Sequence, residues 1–103
     1  MKNLLSKEEQ MRLLFDVYYE QCPKALRIEY TASEEHQSWI VIGGIELSYM
    51  LYQGEYQPIW MCGRYCEGYG DDVYYFKTFA ECEKVWFMKE DKLKKYIESI
   101  TIN

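Results

Sequence analysis

The sequence predicts a two-layer α+β fold, in which an antiparallel meander of five strands is flanked by one N-terminal and one C-terminal helix. Two Ser/Thr-x-x-Glu patterns precede stretches whose apolar residues follow helical spacing, which marks two helix starts. Between them, four segments rich in apolar, β-branched and aromatic residues alternate with turn residues, as in consecutive hairpins. These segments are residues 39–42, 45–52, 59–66 and 73–77. At 103 residues, we expect the whole chain, 1–103, to form a single domain.

The first helix is predicted to begin at Lys7, because Ser6 and Glu9 form a capping box that satisfies two orphan backbone donors. Pro23 ends it, since the residue before a proline avoids the helical conformation. The apolar stripe of this helix comprises Met11, Leu14, Phe15, Tyr18 and Cys22.

Residues 26–31 alternate apolar and polar side chains, which predicts a half-buried first strand of the sheet. The polar connection 32–37 that follows contains the only histidine of the chain, His36. We interpret His36 as a solvated loop residue, because no second or third member of a catalytic or metal-binding group lies nearby in the sequence.

The first hairpin of the meander is predicted around Gly43-Gly44, two glycines between apolar runs. A two-residue type I′ turn requires positive φ at both positions, which glycine adopts without a steric penalty. This turn places Ile42 opposite Ile45.

The second hairpin is predicted to close through a loop at 53–58, with Gly54 and Pro58 as turn residues. The resulting register pairs Glu46 with Arg64 in the middle of the sheet. The other predicted pairs are Ser48 with Cys62 and Met50 with Trp60. A further loop at 67–72 precedes the last strand.

Strand alternation divides the meander into two faces. The predicted core face carries Ile40, Ile42, Ile45, Leu47, Tyr49, Leu51, Ile59, Met61, Gly63, Tyr65, Tyr74 and Phe76. The opposite face is too apolar for an ordinary solvated surface, so either a helix of the chain covers it or a partner binds there. The candidate partner-binding residues on it are Trp39, Met50, Tyr52, Trp60, Arg64 and Tyr75.

The second helix is predicted to begin at about Phe79, because Thr78 and Glu81 form another capping box. Charged residues at 89–91 then interrupt its apolar pattern. We expect a continuous or kinked helix to about Ser99; the alternative is a break near Asp91, which would cap a second helical piece.

The composition is that of a globular protein, with 49% hydrophobic and 28% charged residues, and it is unusually aromatic at 17%, including 11 Tyr. A formal net charge of −5 disfavours direct binding to nucleic acid or to an anionic membrane, because both normally need a clustered basic surface. The first residues lack the apolar core of a signal peptide, and no run approaches a membrane span. We therefore expect a cytoplasmic protein.

The four cysteines, Cys22, Cys62, Cys66 and Cys82, are expected to be reduced in that compartment. Structural zinc sites usually contain close Cys-x-x-Cys pairs, and none occurs here. We favour buried, inert thiols and expect neither a metal nor a cofactor.

Two motifs have a catalytic alternative. Residues 69–72, Tyr-Gly-Asp-Asp, are similar over four residues to the metal-binding hairpin of template-dependent polymerases, but the chain is too short for the further carboxylates and the scaffold. We interpret them as a turn. Cys62 with His36 lacks an orienting group and an oxyanion hole. We therefore expect a protein that is not an enzyme.

The leading functional hypothesis is a small acidic protein-binding module, such as an inhibitor, an immunity-type protein or an accessory protein, whose size is compatible with a phage or mobile-element product. Its partner is another protein or a further copy of the chain, bound through the aromatic sheet face. One alternative is an acidic mimic of nucleic acid that blocks a DNA-binding protein. The acidic residues that would form the surface of such a mimic are Glu8, Glu9, Glu34, Glu35, Asp71 and Asp72. The other alternative is a small-ligand-binding protein with a concave aromatic pocket.

Overall fold

The computed structural model describes residues 4–35 and 37–101 of the chain. The elements are α1 (Lys7–Gln21), β1 (Tyr30–Glu34), β2 (Gln37–Ile42), β3 (Ile45–Tyr52), β4 (Glu55–Cys66), β5 (Gly70–Phe76), α2 (Phe79–Trp86) and α3 (Glu90–Thr101). The strands form one antiparallel sheet in the order β1-β2-β3-β4-β5. The predicted α+β fold and five-strand meander are confirmed, with two helices after the sheet. Among the described helices, none has both the length and the apolar character to cross a membrane.

Helix α1 begins at the predicted capping box. The Ser6 hydroxyl accepts a hydrogen bond from the Glu9 amide at 3.2 Å, and the Glu9 carboxylate accepts one from the Ser6 amide at 3.1 Å. The bond from the Ser6 amide to the Glu9 carboxylate is the main reason that the pKa of Glu9 lies below its usual value. The helix ends at Gln21, with Cys22 in extended conformation before Pro23, as predicted.

A buried glutamine fastens α1 to the sheet. Gln10 is fully buried; its Oε1 accepts from the Ser38 hydroxyl at 2.7 Å, and its Nε2 donates to the Leu5 carbonyl at 2.7 Å. The Ser38 hydroxyl lies 2.7 Å from that of Ser33 on β1. Every polar atom of this buried group therefore has a partner, which offsets the cost of removing it from water.

Strand β1 starts later than predicted. The prediction of a strand at 26–31 is wrong at its first residues, because the Tyr18 hydroxyl donates to the Leu26 carbonyl at 2.6 Å and holds this segment against α1. Leu26 and Ile28 pack on the core from outside the sheet. The bond from the Glu29 amide to the Val41 carbonyl, at 2.7 Å, leads into the strand. His36 lies outside the described residues.

The first turn has the predicted pairing but a different conformation. Ile42 pairs with Ile45, as expected. Only Gly43 has positive φ, at 59°, so the type I′ prediction is wrong. Gly44 meets a different constraint, since a Cβ at this position would lie 2.0 Å from Cη2 of Trp86.

The second turn determines the register of the sheet. Gln53 and Gly54 have φ of 51° and 88°, so they form a tight two-residue turn, and β4 begins at once with Glu55. The predicted loop 53–58 is wrong, because Pro58 lies inside β4, opposite Tyr49. Proline is tolerated there since β5 does not extend beside this part of β4, which leaves it an edge strand.

The register therefore differs from the predicted one by three residues. Glu46 pairs with Met61 and not with Arg64. The other predicted pairs are wrong for the same reason; Ser48 lies opposite Ile59, and Met50 lies opposite Gln57. The 67–72 loop is also shorter than predicted, since β5 begins at Gly70 and contains Asp71 and Asp72.

The three helices pack on one face of the sheet, which completes a two-layer structure. The buried cluster between the layers comprises Leu14, Ile40, Ile42, Ile45, Leu47, Tyr49, Trp60, Cys62, Cys66, Tyr74, Phe79, Cys82, Val85, Leu93 and Ile97. At about 1.5–3 kcal/mol for each fully buried large apolar side chain, this layer is the main source of stability.

Helix α2 begins at Phe79 as predicted, with the Thr78 hydroxyl accepting from the Glu81 amide at 3.3 Å. The prediction of a continuous or kinked helix is wrong, because α2 ends at Trp86 and α3 begins at Glu90. Arg64 on β4 places its guanidinium at the end of α2.

The Arg64 guanidinium hydrogen-bonds to carbonyls at the end of α2 and in the turn that follows it. Its Nη1 donates to the carbonyls of Val85 at 2.7 Å, Trp86 at 3.1 Å and Met88 at 2.8 Å. A cation at a helix C-terminus also interacts favourably with the helix dipole. Arg64 thus stabilises the turn that redirects the chain into α3.

We expect Gly44→Ala to destabilise the fold by roughly 1–3 kcal/mol, because the added methyl group overlaps the Trp86 ring. Gly63→Ala is the matched control, since its Cβ would meet no atom closer than 3.7 Å, and it should stay within about 1 kcal/mol of wild type. Urea denaturation measures both. Equal stabilities would contradict the close packing of Trp86 on the turn.

Arg64→Met should lower the free energy of unfolding by at least about 1.5 kcal/mol, because the carbonyls at the end of α2 lose a charged donor. Arg64→Lys should lose less, since an ammonium group carries three donors. Lys77→Met removes the same charge from an exposed position and should change stability by about 0.5 kcal/mol or less. Thermal or urea unfolding of the three variants separates the stability lost with the Arg64 hydrogen bonds from the stability lost with its charge.

Candidate partner-binding face

The sheet face opposite the helices, which we call the helix-free face, is the candidate site. Strand pairing places on it Tyr30, Ala32, Glu34, Gln37, Trp39, Val41, Glu46, Ser48, Met50, Tyr52, Glu55, Gln57, Ile59, Met61, Gly63, Tyr65, Asp71, Val73 and Tyr75. No described helix packs on this face, since the buried helical residues all join the cluster on the other side. The sequence left open whether a helix covers it, and within residues 4–35 and 37–101 none does.

Four predicted site residues lie on the helix-free face: Trp39, Met50, Tyr52 and Tyr75. The placement of Trp60 and Arg64 on this face is wrong, because both lie on the helix-covered side of β4. A register change by an odd number of residues turns every side chain of a strand to the other face.

Trp60 is part of the core. It is fully buried, its indole Nε1 donates to Oε1 of Gln21 at 3.1 Å, and its ring meets that of Phe79 edge to face at a centroid distance of 5.0 Å. Such a residue stabilises the contact between α1, β4 and α2. It is not available to a partner.

Sequence reasoning missed three residues of the helix-free face: Ile59, Met61 and Tyr65. They had been assigned to the core through the same register error. The signal that identifies them is the Gln53-Gly54 pair, because glycine at the second position of a two-residue loop favours a tight hairpin.

The helix-free face is concave. Tyr52 lies opposite Glu55 and Tyr75 opposite Met61, so a flat sheet would hold the two tyrosines about 20 Å apart along the strands. Their ring centroids are 6.1 Å apart. The β3–β4 hairpin therefore coils strongly across this face, as twisted two-stranded ribbons do.

The coiled hairpin buries part of the face by itself. Ser48 and Ile59 are fully buried although no described helix lies above them. Around them the surface remains partly exposed; its most exposed aromatic side chains are Tyr65, Tyr30 and Tyr75, at 59%, 57% and 42%. These accessible tyrosines make the helix-free face the candidate site.

One carboxylate lies within this apolar surface. Glu46 is half-buried between its cross-strand neighbours Val41 and Met61, and its Oε2 accepts a hydrogen bond from the Ser48 hydroxyl at 2.8 Å. The predicted pair with Arg64 does not form, because the two side chains lie on opposite faces.

The cysteines lie on the helix side of the sheet and carry free thiols. Cys62, Cys66 and Cys82 are buried, and Cys22 is half-buried. The Cys62 thiol donates to the backbone carbonyl of Cys82 at 3.9 Å, and interaction with the neighbouring Cys82 thiol lowers the pKa of Cys62 and raises that of Cys82. Their burial denies access to a substrate, and the described residues contain no cluster of three or more potential metal ligands.

The acids of the nucleic-acid-mimic alternative lie on separate elements. Glu8 and Glu9 are in the first turn of α1, and Glu34 ends β1. Asp71 and Asp72 are adjacent on β5 and point to opposite faces.

The small-ligand alternative needs a concave pocket. The clefts of the described surface are open; one of about 310 Å³, lined in part by Tyr65 and Val73, lies at the end of the helix-free face.

Comparison of the chain with protein-family models, with curated proteins and with solved structures finds no match. The functional argument therefore depends on the geometry and chemistry of the helix-free face.

We expect Trp60→Ala to cost roughly 3–5 kcal/mol of stability, because it removes a fully buried ring from the core. Tyr65→Ala, on the same strand but on the helix-free face, should cost less than about 1 kcal/mol. Chemical denaturation monitored by circular dichroism measures both. Similar losses at the two positions would show that the helix-free face is covered in solution.

Proposed function

We propose that the chain is a small acidic protein-binding module that uses the helix-free face to bind a second protein. The observation that carries the proposal is the concave, aromatic surface that the described helices leave uncovered, with Tyr30, Tyr65 and Tyr75 exposed on it. Soluble proteins rarely expose a surface of this kind without a binding function.

The residue types on the face support a protein partner. Trp39, Met50, Met61 and Tyr75 belong to the types that are enriched in the cores of interfaces, where a few large side chains supply most of the binding free energy. Ile59 and Ser48 lie buried beneath them and support the surface. An inhibitor, an immunity-type protein or an accessory protein acting in the cytoplasm would use such a site.

The experiment is an affinity capture in parallel with three baits: wild type, Tyr75→Ala and Phe87→Ala. Phe87 is the matched control, because it is 69% exposed but lies in the turn between α2 and α3, away from the helix-free face. The candidate partner is the protein that wild type captures reproducibly; we expect Phe87→Ala to retain it and Tyr75→Ala to lose it. The identified protein is then purified and its affinity measured by calorimetry.

With the purified partner, Tyr75→Ala and Trp39→Ala should each weaken binding by about 2 kcal/mol or more, the loss typical of a central interface residue. Phe87→Ala should bind like wild type. Unchanged affinity for both substitutions on the helix-free face, together with a loss for Phe87→Ala, would move the site to the helical side and refute the proposal.

A further inference from the structure

We infer that Glu46 is the anchor for an arginine side chain of the partner, so that the helix-free face binds a segment that presents an arginine flanked by apolar side chains on one face. The inference rests on the proposed function and names the chemistry of its partner. It is carried by the position of Glu46 and by the charges around it.

Glu46 lies at the centre of a row of side chains that crosses the whole sheet. Strand pairing aligns, from β1 to β5, Tyr30, Val41, Glu46, Met61 and Tyr75. At about 4.8 Å between strands, the carboxylate is roughly 10 Å from either edge of the sheet. A partner that covers the aromatic ends of the row must therefore also cover Glu46.

The carboxylate has unused capacity for hydrogen bonds. Ser48 donates to Oε2, and within residues 4–35 and 37–101 no Lys or Arg forms an ion pair with Glu46. An ionised carboxylate offers about four acceptor positions, and the Ser48 hydroxyl occupies one of them. When a partner excludes solvent, the charge must be paired or binding is strongly opposed.

The charges of the helix-free face select a basic partner. Every charged side chain that the described strands place on it is acidic: Glu34, Glu46, Glu55 and Asp71. A second copy of the chain would bring the same acids to the interface and no strand-borne cation to neutralise Glu46, which disfavours a symmetric dimer through this face.

Arginine fits the site better than lysine. Its planar guanidinium binds a carboxylate through two parallel hydrogen bonds and also packs flat on neighbouring apolar and aromatic groups. Met61 and Val41 flank Glu46 and provide such surfaces. Leucine or aromatic side chains on either side of the arginine would then cover the apolar remainder of the row.

The test uses three eight-residue peptides, Leu-Ser-Leu-Ser-X-Ser-Leu-Ser with X arginine, serine or glutamate, so that X and the leucines share one face of the extended chain. Each is about 25 Å long when extended, enough to cross the face. Binding is followed by amide chemical shifts of the wild type, Glu46→Gln and Glu20→Gln. Glutamine keeps an acceptor for Ser48 and removes only the charge. Glu20→Gln removes the same charge from the exposed surface of α1.

The arginine peptide should bind wild type with shifts centred on β2, β3 and β4, and Glu46→Gln should weaken it at least about tenfold. Glu20→Gln should change the affinity less than about twofold, as expected for a distant, screened charge. The serine peptide should bind more weakly, and the glutamate peptide should not bind. Sedimentation should show a monomer at the concentration used.

Equal effects of Glu46→Gln and Glu20→Gln would overturn the inference, and so would equal binding of the arginine and serine peptides. If shifts still map to the helix-free face in either case, the proposed function stands without the anchor. Shifts confined to the helices, or a dimer that buries this face, overturn the inference as well. If no peptide binds, the inference fails, and the capture experiment alone decides the proposed function.

Discussion

The register of the β3–β4 hairpin is the constraint on which the rest of the structure depends. The Gln53-Gly54 turn permits only the tight pairing that sets Trp60 opposite Leu47. Trp60 therefore enters the helix-covered core, and Met61 is left on the other face. A shift of one residue would exchange the two, because neighbouring side chains of a strand point in opposite directions. A two-residue turn thus decides which surface of the protein is apolar and free.

The same register places Arg64 on the helix-covered face of the sheet, next to the end of α2. Its guanidinium lies under the end of α2, and α3 follows in a new direction that brings Leu93 and Ile97 into the core. With all three helices used on one side of the sheet, the described chain has nothing left to cover the other. The coiled hairpin compensates in part, burying Ile59 beneath a curved surface whose remaining aromatic groups stay accessible.

Local signals in the sequence were sufficient for most of the fold. The Ser6 cap, Pro23 and the pairing of Ile42 with Ile45 each depend on neighbouring residues, and each was predicted. The site was only partly predictable, because its composition depends on a single loop in which Pro58 resembles a turn residue yet lies in a strand. The role of Arg64 was not predictable, since its acceptors are more than 20 residues away along the chain.

The side chain of Gln21 has a consequence for how the molecule opens. Its Oε1 accepts hydrogen bonds from the Trp60 indole at 3.1 Å and from the first amide of α2, that of Phe79, at 2.8 Å. If α1 detaches, two buried donors lose their acceptor at once, so the N-terminal helix, the sheet and the start of α2 form one cooperative unit. Because these contacts join residues 39 and 58 positions apart, closing them costs more chain entropy than closing the local hairpins.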